Sequence, residues 1–279
     1  MVSPEWFHAA VAAGDDPDDG CHPQEAQALR EYHDGKTTAQ QAAYDITRVI
    51  TTSMVTIPNT DDRWRLWGLL TSAIEEWPPS EGSSIFPLLG EIQKLPDMTI
   101  RNDENRHSGP GHEVIWDELP GFGHLWADLF QTGAWRRQIK DRPDDMDLRR
   151  QFREDFAHLA SCEARLVDEN LGGIGIDWGY ECLVNAFERK DAVPDIQFPM
   201  VAEWLKRLAG QVYKDALDGR QSWAFRQNGL DLPIGGTTMT LERWQAWKDR
   251  LGRYVQDELP GSDSVSRGIK AMEDAESEQ

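Results

Sequence analysis

A chain of 279 residues with 49 Asp and Glu against 29 Lys and Arg carries a net charge of −20. That charge repels phosphate backbones and anionic headgroups, so neither nucleic acid nor a membrane surface is expected as a partner. Three cysteines, Cys21, Cys162 and Cys182, are too few and too widely spaced for a disulfide framework or a zinc knuckle. The N-terminus has no basic start before an apolar run, and no stretch reaches the roughly 18 apolar residues of a membrane helix. A cytoplasmic protein with free thiols is the expectation.

In chain order, 4–13 reads as a short helix and 14–23 as an acidic, turn-rich loop. Helices follow over 24–33 and 39–54, the second with Ala43, Ile46, Val49 and Ile50 inward. The run WRLWGLLTSAIEEW places Trp64, Trp67, Leu70, Ile74 and Trp77 at helical spacing before Pro78 and Pro79 stop it. A further helix is predicted over 83–95, and a polar insertion over 97–113. The stretch 115–135 reads as a central aromatic-faced helix, with Leu119 and Pro120 at its start and Phe122, Leu125, Trp126, Leu129 and Phe130 on one face. Helical periodicity returns over 144–169, 177–189, 198–217 and 241–254, and 261–279 forms a partly helical acidic tail. No segment of any length alternates with period two. The prediction is an all-α protein of nine or ten helices, with a single domain over 1–260.

Chemical motifs are sparse. Asp144, Asp145 and Asp147 open a helix and suit its macrodipole without a metal. Asp16, Asp18 and Asp19 lie in a solvent-prone loop, as do His107, His112 and Glu113, so no metal is expected. Gly173-Ile174-Gly175 with Gly179 departs from the GxGxxG spacing and follows a helix, which fits a helix C-terminus; no nucleotide or other cofactor has a seat. What remains is a constellation of tryptophans beside acids. Trp116 stands with Asp117 and Glu118, Trp178 with Asp177, Tyr180 and Glu181, and Trp64 and Trp67 with Asp61 and Asp62. If they converge, they form an aromatic pocket whose desolvated carboxyls have raised pKa values. The bland account is that the indoles staple helices and the acids cap them.

The WRLWGLL helix with Ile74 and Trp77 is followed by Leu95-Pro96 and by the Trp116, Leu119, Pro120, Phe122 punctuation. Farther on come WGYECLVNAFER and the closing LERWQAWKDRL with Ala271 and Met272. On these residues the chain resembles a family of filamentous-fungal proteins known only as a domain of unknown function. The likeness spans 24–272, and the chain departs from it near 97–113. The resemblance implies no catalytic residues, but some relatives are encoded with natural-product pathways.

The functional expectation is an aromatic-lined helical pocket for a small hydrophobic or aromatic molecule, with cofactor-independent cyclase or isomerase chemistry. His124, Glu118, Tyr180 and Glu181 are the candidate catalytic residues. Trp67, Trp116, Trp126 and Trp178 are the candidate walls. The alternative is a non-catalytic interaction or scaffold protein with an acidic surface, in which helices pack into a homo-oligomer.

Overall fold

Apolar spacing of three and four residues governs nearly every buried position, and the protein is all-α. The computed structural model describes residues 2–11, 20–56, 63–100, 112–131, 134–226 and 236–278. Among these residues are thirteen α-helices, ten of them longer than eight residues, one 3-10 turn and a two-stranded ladder. No described helix is long and apolar enough to cross a membrane. The chain divides into two compact units, residues 1–132 with 170–173, and 133–169 with 174–279.

The first unit contains α1 (Pro4–Val11), α2 (Pro23–His33), α3 (Ala39–Thr56), α4 (Arg63–Glu76), α5 (Pro79–Gly82), α6 (Ile85–Gln93) and α7 (Phe122–Gln131). Here α3 packs on α2 and α6, and α4 packs on α7. Ala43, Ile46 and Ile50 of α3 are buried, as predicted, whereas Val49 is half-buried; in α4 Leu66, Trp67, Leu70 and Ile74 are buried. Within the polar insertion, β1 (Met98–Ile100) pairs antiparallel with β2 (His112–Val114), Met98 opposite Val114; 101–111 lie outside the described residues. The predicted helix start at Leu119-Pro120 is a turn instead. Glu118 and Leu119 adopt φ of +57° and +48°, and α7 begins at Phe122. A proline disfavours right-handed helical geometry in the residue before it, so the helix cannot take in Leu119.

The second unit contains α8 (Ala134–Asp141), α9 (Met146–Asp168), α10 (Ile176–Phe187), α11 (Pro194–Asp218), a 3-10 turn (Trp223–Arg226), α12 (Leu241–Gln256) and α13 (Ser262–Ser277). Its axis is α11, which packs against α9, α10, α12 and α13. Pro199 lies inside α11 and leaves the carbonyl of Asp195, four residues earlier, without its helical donor. Arg153 Nε donates to that carbonyl at 2.7 Å, and Arg149 holds the Asp195 carboxylate through two bonds of 2.8 and 2.6 Å. An added Cβ at Gly179 would stand 2.5 Å from the Trp204 ring, so only glycine lets α10 approach α11 this closely. The predicted acidic tail is a full helix, α13, which buries Val265, Gly268, Met272 and Ala275.

A fully buried ion pair joins these helices. Glu188, at the C-cap of α10, accepts from Arg243 Nε at 2.7 Å, from Arg243 Nη2 at 3.2 Å and from Trp247 Nε1 at 3.0 Å. Arg243 also donates to the carbonyls of Thr238 and Gly236, and its guanidinium lies 4.1 Å from the Phe225 ring centroid. Losing one partner strands the other charge in an apolar interior, a penalty of about 3–5 kcal/mol. Arg243→Met is therefore expected to lower stability by about that amount in urea unfolding. Pairing it with Glu188→Leu should recover much of the loss, because no lone charge then stays buried.

Candidate functional site

In the first unit, α4 supplies Trp67, the turn before α7 supplies Trp116, and α7 supplies Phe122 and Trp126. Trp67 meets Trp116 edge-on with centroids 6.2 Å apart and Phe122 at 5.9 Å, and Phe122 stacks on Trp126 at 6.4 Å. Trp67 Nε1 donates to the Pro120 carbonyl at 2.9 Å. All three indoles are at most 1 % exposed, so the expected walls pack ring to ring as core of this unit. Asp117, Glu118 and His124 are exposed. Asp61 and Asp62 lie outside the described residues, as do Asp16, Asp18, Asp19 and His107.

Trp178, Tyr180 and Glu181 belong to α10 in the second unit. Tyr180 is fully buried; its hydroxyl donates to Asp215 Oδ2 at 2.7 Å, and Gln211 Nε2 donates to Asp215 Oδ1 at 2.7 Å. Arg220 Nε lies 3.6 Å from Asp215 Oδ2 and Arg220 Nη2 3.5 Å from Asp177 Oδ2. Burial, then the Asp215 carboxylate, push the Tyr180 phenol well above its ordinary range, so it stays protonated and anchors Asp215. Trp178 and Glu181 are half-buried, and Trp178 stands edge-on to Trp223 at 6.3 Å. The structure therefore gathers Trp67, Trp116 and Trp126 in one unit, and Trp178, Tyr180 and Glu181 on one helix of the other.

None of the thiols is poised as a nucleophile. Burial pushes Cys21 and Cys162 up to about 12 and drives Cys182 upward as well, with Glu163 and Glu181 adding to the last. Asp145 caps α9 by accepting from the Leu148 amide at 2.9 Å, and Asp147 accepts from Arg150 Nη2 at 2.7 Å. Among the described residues no three His, Cys, Asp or Glu side chains are grouped to hold a metal ion.

A cleft does form in the first unit, from residues that the sequence reading did not assemble. It measures about 340 Å³ and lies between α1 and α4, with Trp6 and Trp64 as large walls and Ala9, Ala10 and Gly68 as a low floor. Arg65, Ser72, Glu76 and Cys21 complete it. Trp6 Nε1 donates to Glu76 Oε2 at 2.8 Å, which holds that wall, and the Arg65 guanidinium lies 5.2 Å from the Trp64 ring. Trp64, which shares helical spacing with Trp67, Leu70, Ile74 and Trp77, is 46 % exposed. At about 100° per residue, the thirteen positions from Trp64 to Trp77 leave the two side chains about 140° apart around the helix. The signal for the cleft is the row Trp64, Gly68, Ser72, Glu76 at steps of four, which puts two small residues along one helix edge. Two more open grooves, α2 against α3 and α12 against α13, measure about 600 and 500 Å³.

Two measurements check these assignments. Trp67→Ala should cost about 3–5 kcal/mol in denaturant unfolding, as expected where a core indole is removed. Tyr254 donates to the Pro260 carbonyl at 2.6 Å, and burial together with the Asp195 carboxylate pushes its phenol up to about 12. Both raised phenols stabilise the fold fully below their ordinary value of 10.0; the Tyr254 contribution is lost as pH rises through about 12, and the Tyr180 contribution persists to higher pH. In an absorbance titration near pH 11, Tyr180 and Tyr254 should stay protonated in the folded chain and ionise only as it unfolds.

Comparison with known proteins gives one family model, described as Protein of unknown function (DUF3632), which matches residues 67–251. No curated protein and no solved structure matches. The match takes in α4 from Trp67 onward, the aromatic core of the first unit and the Glu188–Arg243 pair, and leaves out Trp6 and Trp64. With two thirds of its length so matched, this chain belongs to the DUF3632 family.

Proposed function

We propose that this protein binds a small hydrophobic or aromatic molecule in the cleft between α1 and α4. The observation that carries the reading is the wall pair Trp6 and Trp64 standing over the Ala9, Ala10 and Gly68 floor, with Trp64 46 % exposed. A volume of about 340 Å³ is at the lower end of ordinary ligand pockets, and two indoles with few polar groups suit a flat ring system. His124, Glu118, Tyr180 and Glu181 do not line this cleft, so cyclase or isomerase chemistry there draws on Glu76, Arg65, Ser72 and the protonated Cys21. The cleft accordingly supports capture of a ligand better than proton transfer to it.

Gly68 is the place to test this. A Cβ added there meets nothing within 4 Å, and α4 continues on both sides, so Gly68→Leu should keep the fold and fill the cleft. Leucine in a helix interior is favoured over glycine by somewhat under about 1 kcal/mol, so its Tm should hold or rise. With a neutral bicyclic probe such as N-phenyl-1-naphthylamine, followed by fluorescence, affinity should fall at least about tenfold in Gly68→Leu and in Trp64→Ala. Unchanged affinity in both variants would sink the assignment.

A further inference from the structure

In a chain with 20 more acids than bases, α8 concentrates positive charge. Over Ala134–Asp141 it carries Arg136, Arg137 and Lys140 against the single acid Asp141. Arg137 and Lys140 are exposed, whereas Arg136 is half-buried. Its guanidinium lies flat enough on Trp135 to bring the two centres within 4.5 Å, and Trp135 is fixed by its packing with Ile139 and Ile196. A guanidinium held on an indole keeps its donor fork oriented and loses little freedom when it binds.

Arg136 has no hydrogen-bond partner among the described residues, and its Nε is buried. The nearest carboxylate is already engaged: Asp191 accepts from Arg189 Nε at 2.7 Å and from Arg189 Nη2 at 3.1 Å. One acid therefore stands beside two guanidiniums. Desolvation is the main influence on Arg136; Asp191 favours its charged form and Arg189 opposes it. Nε is out of reach of solvent, but neither Nη nitrogen is among the buried unpartnered atoms, and a charge-assisted bidentate bond to a planar anion can form there.

We propose that Arg136, stacked on Trp135 and flanked by Arg189, is a binding site for the carboxylate group of a small molecule. The planar fork matches a carboxylate, which can accept two parallel N–H bonds. The net charge of −20 opposes a dianion more strongly than a monoanion, so a single carboxylate is preferred over a phosphate. This site lies wholly in the second unit and does not rest on the cleft in the first.

The test uses the full chain, ¹⁵N-labelled, with sodium acetate titrated against sodium chloride at fixed ionic strength. The Arg136 Nε–Hε resonance, identified by its loss in Arg136→Lys, should shift saturably with acetate. The acetate-dependent rise in Tm should persist in Arg137→Gln, which removes an exposed neighbour of equal charge, and should vanish in Arg136→Gln. Should Arg136→Gln fail to fold, the resonance in the unmodified chain still decides the matter. A shift that never saturates overturns the proposal, as does an equal Tm rise in Arg136→Gln. Inorganic phosphate acting as strongly as acetate would overturn the preference for a carboxylate.

Discussion

The second unit turns on the ion pair between Glu188 and Arg243, neither of which retains more than 1 % exposure. Taking two charges out of water is unfavourable unless every donor and acceptor finds a partner. Here the carboxylate accepts from the guanidinium and from Trp247, while the guanidinium also serves the carbonyls of Thr238 and Gly236. Those partners come from the end of α10, the start of α12 and the turn between them, so the pair is satisfied only when three separate segments are in register. It is a device of specificity as much as of stability, since a misplaced α12 would bury Arg243 with nothing to donate to. Thr240 adds the local half of the arrangement by capping α12 through the Arg243 amide at 3.1 Å.

The same logic accounts for two other sets of buried polar groups in this unit. Pro199 removes a donor from α11, and Arg153 replaces it; Asp195 then needs a cation, and Arg149 supplies one. Tyr180, Gln211 and Asp215 form a further closed set on α10 and α11. Arg136 Nε, like Asp177 Oδ1, Asn185 Oδ1, Trp204 Nε1 and Arg220 Nε, is a buried atom of this unit without a hydrogen-bond partner.

The tryptophans separate by the same measure of occupancy. All but Trp6, Trp64, Trp178 and Trp223 are buried, and the rings of Trp67, Trp116 and Trp126 pack against one another or through Phe122. Filled space of that kind stabilises a fold but admits no ligand. Trp6 and Trp64 differ because their neighbours on α1 and α4 are Ala9, Ala10 and Gly68, too small to fill the space between the two helices. The candidate site thus owes its shape to what is missing between large side chains, whereas a search of the sequence for tryptophans beside acids selects on what is present.

The sequence by itself determined the helices. Spacings of three and four and prolines at 78 and 79 mark elements that the structure places within a few residues, because such signals act through the local backbone. It also set Leu241, Trp244, Trp247, Leu251 and Tyr254 on one stripe; the last four are buried, and Leu241 is exposed. Arg243 lies on that same stripe, four residues before Trp247 and eight before Leu251, but a charge there is legible only once Glu188 is known to face it. Tertiary structure alone decided which indoles became core and which became walls, since the burial of Trp64 depends on what α1 presents to it. It also decided that Glu118 and His124 belong to one unit and Tyr180 and Glu181 to the other. Periodicity is a property of one helix, whereas a site is a property of several, and only packing brings those together.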